Sequence, residues 1–239
     1  MSPYEKAWQD VWLRIAQAAR AVNRNRDTIR LLAVSKGQTV DAIRAVYALG
    51  QRAFGENYVQ EAVAKADALA DLRDIEWHLI GPLQANKTRL AAQRFAWVET
   101  VDRAKIAERL GSARDAHLPP LNACVQVNIS GEASKNGVDP DAALPLLRSV
   151  ASLPRLAVRG LMGIAEPTSD VGRQRAQFGK LRDLFEAARD EGMQFDTLSM
   201  GMTADLEAAI AEGATLVRVG TALFGPRGSQ KGNETVKSD

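Results

Sequence analysis

Arg30-Leu31-Leu32-Ala33-Val34-Ser35-Lys36-Gly37 is the stretch on which the reading of this chain turns. Its apolar run is short and mostly branched, which suits a buried β-strand better than a core helix. The run stops at Ser-Lys-Gly, and a helical pattern from Asp41 to Leu49 follows after a short link. A lysine that ends a buried strand projects over the end of the sheet, where α/β proteins keep their ligands. Partial desolvation there disfavours the ammonium form, lowers the pKa and makes the amine a usable nucleophile. The competing reading is a solvated strand-end lysine, which this stretch alone does not exclude.

The same strand-then-helix unit recurs along the chain. Strands are predicted at 52–57, 76–81, 96–102, 122–129, 156–163, 197–200 and 215–220. Helices are predicted between them at 58–72, 85–94, 103–116, 141–153, 173–191 and 205–212, with a polar loop at 130–139. An amphipathic helix over 3–22, carrying Trp8, Val11, Trp12, Ile15 and Ala19 at helical period, precedes the first strand. Eight strands alternating with helices are the arithmetic of an α/β fold of the (β/α)8 TIM-barrel type, with an extra N-terminal helix. An open doubly wound sheet also alternates, but no Gly-x-Gly-x-x-Gly follows the first strand. No composition break marks a second domain, so 1–228 is read as one barrel and the polar, aperiodic 229–239 as a disordered tail.

Composition narrows the function classes. The chain has 239 residues, 46% hydrophobic and 25% charged, enough to bury a substantial core. Lysine plus arginine number 31 against 29 acids, a net charge of +2, which gives no case for a nucleic-acid or membrane-surface partner. Cys124 is the only cysteine and reads as a small buried hydrophobe. With two histidines besides, a His/Cys metal site is not expected. The N-terminus lacks a signal-peptide pattern and no apolar run approaches a membrane span, so a cytoplasmic protein is expected.

In a barrel the reactive groups come from the carboxyl ends of the strands. Those ends carry Lys36, Asn57, His78 to Gly81, Asn128, Met162, Ser199-Met200-Gly201 and Arg218-Val219-Gly220-Thr221. One candidate nucleophile stands among amides, hydroxyls and glycines, without a carboxylate pair of the glycosidase kind. The loops after strands seven and eight combine Gly with Ser or Thr, as phosphate cradles do, although tight turns with capping hydroxyls explain them equally well. An amine nucleophile beside a phosphate cradle suggests a phosphorylated aldehyde, of which pyridoxal phosphate (PLP) is the common one. Arg218 points outward as a surface charge or inward toward such a ligand, according to strand alternation.

These blocks resemble the small PLP-binding proteins of the YggS/PROSC family, relatives of the alanine racemase barrel domain. The resemblance rests on Ala33 to Lys36, Phe54 to Glu61, His78 to Lys87, Val127 to Ser130 and Ser134 to Gly137. It continues through Gly160 to Met162, Leu198 to Met202 and Arg218 to Gly225, and covers nearly the whole chain apart from the tail. Thr203 departs from the family's usual serine but keeps the hydroxyl. The resemblance implies an alanine-racemase-like barrel (fold type III) with Lys36 as the covalent PLP anchor, through a Schiff base. It implies that Ser199, Gly201, Gly220 and Thr221 hold the phosphate, that Arg218 faces the pyridine nitrogen, and that Asn57 and Met162 line the ring. His78 lies near the ring or is a satisfied core histidine. Asn86, Lys87, Lys135 and Tyr58 belong to the same blocks without an assigned role.

Three functions follow. The first is a monomeric carrier that binds PLP, acts in vitamin B6 and amino-acid homeostasis, and contacts PLP enzymes transiently. The second is an amino-acid racemase, and the third an aldolase forming its Schiff base with a sugar phosphate. Racemisation needs a proton donor on each face of the substrate, and only Lys36 offers itself as a base. The carrier is the expected function.

Overall fold

Strand β1 (Arg30–Val34) pairs in parallel with both β2 (Ala53–Glu56) and β8 (Leu216–Val219), and that double pairing closes the sheet. Between them run β3 (Glu76–Leu79), β4 (Trp97–Val101), β5 (Leu121–Val127), β6 (Leu156–Gly163) and β7 (Thr197–Ser199). Each pairs only with its sequence neighbours, so the eight strands form a closed parallel barrel in chain order. This computed structural model describes residues 2–131 and 136–225. The expected disordered tail at 229–239 lies outside the described residues, as do Ser134 and Lys135.

Helices α1 (Pro3–Ala21), α2 (Val40–Ala48), α3 (Val59–Ala68), α4 (Thr88–Arg94) and α5 (Ala104–Ala113) belong to the first half. Helices α6 (Pro140–Ala151), α7 (Val171–Asp190), α8 (Leu206–Ala211) and α9 (Thr221–Phe224) belong to the second. The main core lies between this helical layer and the outer face of the barrel, as for Val46, Phe54, Ala107, Val125 and Leu147, all at 0% exposure.

The N-terminal helix has a structural task. Helix α9 is a single turn, too short to cover the seam between β8 and β1, and α1 packs against α8 and α9 in its place. It buries Val11, Ile15, Ala18 and Ala19 there. Arg14 ties it to the β7–β8 half by donating to the Thr203 carbonyl at 2.9 Å and to Glu207 at 2.8 Å. A capping box between Ser2 and Glu5 satisfies its first N–H groups.

Element boundaries differ modestly from the sequence reading. The segment 85–94 is a 3-10 turn, Ala85–Lys87, followed by α4. Helix α7 begins two residues early because the Asp170 side chain caps it, accepting from Arg173 N at 3.1 Å. Helix α3 ends at Ala68 rather than Leu72, and β5 at Val127 rather than Ile129.

Strand alternation fills the lumen in layers. Leu32, Ala53 and Leu216 form one small apolar cluster with Ile80, and Trp97, Cys124 and Met162 form another. Towards the amino ends of the strands, Arg30 and Arg159 lie over the Trp97 ring at 5.5 and 5.1 Å. Arg30 pairs with Glu76, and Arg159 with Asp196. A pocket of about 300 Å³ lies beside these pairs, lined by Trp12, Arg30, Ala53 and Glu76. A second cavity of about the same volume opens at the carboxyl ends of the strands. Among the described residues no helix is long and apolar enough to cross a membrane.

Candidate functional site

The cavity lies at the carboxyl ends of β1, β2, β6 and β8 and has a volume of about 300 Å³. Lys36, Asn57, Arg218, Gly220 and Thr221 line it, with Val34, Ile80, Ile164 and the 202–204 loop as apolar and hydroxyl wall. A volume of about 300 Å³ is at the small end for a ligand site. A larger groove of about 700 Å³ lies between α4 and α5, but it is outside the barrel and presents surface side chains.

Lys36 stands two residues beyond β1. Ser35 N still donates to the Gly55 carbonyl at 2.9 Å, so the ladder continues up to the lysine. Gln38 N then returns to the Ser35 carbonyl at 2.9 Å, closing a tight turn around Lys36 and Gly37, whose φ is +70°. Helix α3 grips this turn from behind. Lys65 Nζ donates to the Ser35 carbonyl, Glu56 Oε1 and Glu61 Oε1, each at 2.7 Å. Glu61 accepts from Gly37 N at 2.6 Å, and Ser35 Oγ donates to Glu56 at 2.6 Å. Burial pushes the Glu56 carboxyl above its ordinary range, against its hydrogen bonds to Lys65 and Ser35. Lys36 is therefore half-buried on a backbone held from two sides.

Asn57 continues β2 onto the cavity wall, with Oδ1 buried and lacking a hydrogen-bond partner. Gly81 sits against it so tightly that a Cβ there would lie 2.1 Å from the Asn57 carbonyl oxygen. Gly220 packs on β1, where a Cβ would lie 3.3 Å from the Val34 carbonyl oxygen, and α9 starts directly after it. This is where barrels commonly hold phosphate.

Arg218 points inward and is 4% exposed. Its Nη1 donates to Ser199 Oγ at 2.7 Å and its Nη2 to the Gly163 carbonyl at 2.8 Å. The ambiguity left by alternation is thus resolved by register, since Arg218 pairs with inward-facing Leu32 on β1. Ser199 donates in turn to Glu99 Oε2 at 2.6 Å, and His78 Nδ1 lies 2.6 Å from Glu99 Oε1.

The structure places the remaining expected site residues as follows. The Ser199 hydroxyl is engaged with Glu99 and Arg218 inside the lumen, because alternation on β7 turns it inward. Gly201 adopts φ +90° and its carbonyl accepts from Arg218 N at 2.9 Å. A Cβ there would lie 2.4 Å from that of Ala209, so the glycine packs the loop on α8. Met162 is fully buried below the cavity with Trp97 and Cys124. His78 is a core histidine, its ring stacked on Trp97 at 5.0 Å. Sequence reasoning missed Glu99 and the Glu56–Lys65 pair. The inward phase of β4, set by Trp97 two residues earlier, was the available signal for Glu99. Among the described residues no group of three or more His, Cys, Asp or Glu side chains is arranged to hold a metal.

A half-buried lysine and a fully buried arginine facing one cavity at the mouth of a closed barrel define a cofactor-binding (β/α)8 barrel. Residues 13–228 match the family of the alanine racemase N-terminal domain, and the chain belongs to that family. A pyridoxal phosphate homeostasis protein of Pseudomonas aeruginosa is 55% identical over 214 residues, which are 90% of this chain and 91% of that protein. The PipY protein of Synechococcus elongatus, solved with PLP bound, superposes with a TM-score of 0.77 at 39% identity, covering 88% of this chain and all of that one. A Bifidobacterium adolescentis structure reaches a TM-score of 0.87 at 35% identity, over 92% of this chain and 94% of its own.

Proposed function

We propose that this protein binds PLP at Lys36 and serves PLP homeostasis as a carrier. The observation that carries the reading is that Lys36 and buried Arg218 line one cavity of about 300 Å³. The residues fit the group. The unpartnered Oδ1 of Asn57 offers an acceptor to a ring substituent, and the close approach of Gly220 to β1 leaves the phosphate end free of side chain. When bound, PLP supplies an aldehyde for covalent attachment and an electron-withdrawing ring. Lys36 would hold it covalently, with Gly220 and Thr221 at the phosphate. Arg218, always protonated, would face the ring nitrogen and keep that nitrogen unprotonated.

The cavity wall supports a carrier over a racemase. Among the described residues lining it, Lys36 and Arg218 are the ionisable ones, and an arginine is a poor proton donor. Reaction on both faces of an amino acid would need a second acid/base group opposite Lys36. The reading extends to a cytoplasmic monomer that meets the recipient enzymes transiently.

The test is an absorbance titration with PLP, followed by borohydride reduction and peptide mass mapping. Mass addition on the Lys36 peptide, absent in Lys36→Ala, is the expected result. Addition at another lysine, or undiminished addition in Lys36→Ala, would sink the assignment. Incubation of the loaded protein with single-enantiomer amino acids checks the carrier reading, which a racemic product would end.

A further inference from the structure

Four side chains from four strands form one hydrogen-bonded chain across the lumen beneath the cavity. They are His78 on β3, Glu99 on β4, Ser199 on β7 and Arg218 on β8, exposed at 0%, 0%, 0% and 4%. We propose that Glu99 is the positioning residue for Arg218, fixing the guanidinium through the Ser199 hydroxyl and neutralising its charge before the cofactor arrives. This rests on the PLP reading of the cavity and adds to it a residue that touches neither cofactor nor cavity.

The first argument is charge. A guanidinium taken out of water needs a paired anion and hydrogen bonds to offset desolvation. Among the described residues, the anionic candidates acting on Arg218 are Glu99, Asp205 and Cys124. Burial pushes the Cys124 thiol well up, so it is neutral. Burial also moves the Asp205 carboxyl upward, and its Oδ1 is occupied by Met202 N at 2.5 Å. Glu99 behaves in the opposite way. Burial alone would raise it, but His78, Arg218 and Ser199 outweigh that and hold it below its ordinary value.

The second argument is direction. An ionised carboxylate only accepts, so His78 Nδ1 and Ser199 Oγ both donate to Glu99. The serine proton being committed, its lone pairs face Arg218 Nη1, and the Gly163 carbonyl holds Nη2. Those two bonds use two of the five guanidinium N–H groups and leave the rest for the cavity. The His78 ring stacks on Trp97 with planes 7° apart, so the carboxylate at the root of the chain is itself immobilised. A guanidinium held in this way loses little freedom when it meets a ligand.

The experiment uses the full chain, with PLP affinity and the visible absorption spectrum as readouts. Glu99→Gln removes the charge at constant shape. Ser199→Ala removes only the bridging hydroxyl and leaves Glu99 with His78. Both variants are expected to retain attachment at Lys36, to bind PLP about tenfold more weakly and to show a displaced absorption maximum. In an Arg218→Met background, Glu99→Gln should add no more than about a twofold further loss, because coupled groups are non-additive. Wild-type affinity and spectrum in both variants would overturn the proposal, as would a full Glu99→Gln penalty in the Arg218→Met background. Should Glu99→Gln fail to fold by circular dichroism, the Ser199→Ala result decides. A wild-type protein that never attaches PLP at Lys36 overturns the cofactor reading itself, a result distinct from normal wild-type binding with unaffected variants.

Discussion

The Nζ of Lys65 lies 2.7 Å from the carbonyl oxygen of Ser35, the residue immediately before Lys36. One lysine thus holds the backbone from which the other projects. Lys65 is also the buried cation against Glu56, with side-chain exposures of 8% and 0%. Lys65→Met would leave Glu56 buried and uncompensated, and breaking such a pair costs about 3–5 kcal/mol. Urea unfolding of Lys65→Met should show a loss of that order, and the double variant with Glu56→Gln should recover most of it. Equal stability of the single and double variants would mean that the Glu56 charge is not the cause.

Gly81 tests whether a backbone contact sets the position of Asn57. A methyl group at Gly81 would lie 2.1 Å from the Asn57 carbonyl oxygen and 2.6 Å from its Cα, so the end of β2 must move. Gly81→Ala should cost about 1–3 kcal/mol in stability and weaken PLP binding several-fold. Gly192→Ala makes a suitable comparison, since nothing lies near its Cβ position, although its φ of +87° brings strain of its own. That variant should lose stability but keep wild-type affinity.

Acid stability carries the sign of Glu99. Its carboxyl titrates below the ordinary 4.5 in the folded chain. A depressed pKa contributes stability that is present above pH 4.5 and is lost as pH falls through the folded value. Glu56, raised by burial, works the other way and loses its contribution as pH rises above the ordinary carboxyl value. Unfolding free energy measured from pH 6 downward, about two units, should therefore fall less steeply in Glu99→Gln than in the wild type. Parallel curves would show that the lumen chain does not hold Glu99 ionised.

Cys124 is fully buried, and burial raises its thiol well above the ordinary range. Thiolate is the reactive form, so a disulfide reagent should label the native chain only on the timescale of opening, and the urea-unfolded chain at once. Rapid stoichiometric labelling of the native chain would contradict that burial.

The barrel was legible because each strand and helix is a local pattern. Branched apolar runs of four to eight residues, separated by helical periodicity, name the elements without knowledge of their partners. The order of strands then follows, since parallel neighbours joined by right-handed crossovers leave few topologies. Lys36 was legible for the same reason, as a lysine at the end of a buried strand. For Arg218, the resemblance implied an inward side chain, but strand alternation by itself left its direction open. Whether Arg218 faces solvent or lumen depends on the phase of β8 against β1, and one residue of slip reverses it.

The sequence by itself determined the elements, the closed-barrel class and the strand ends where ligand chemistry belongs, since periodicity, turn residues and family motifs are written along the chain. Only the tertiary structure decided that Ser199 serves Arg218 from within the lumen, that Glu99 and His78 lie beneath it, and that Lys65 holds the turn carrying Lys36. Glu99 and Ser199 are 100 positions apart in the chain, yet their side chains meet at 2.6 Å. Barrel closure sets that distance, because strand register and shear bring inward side chains of non-adjacent strands into one layer.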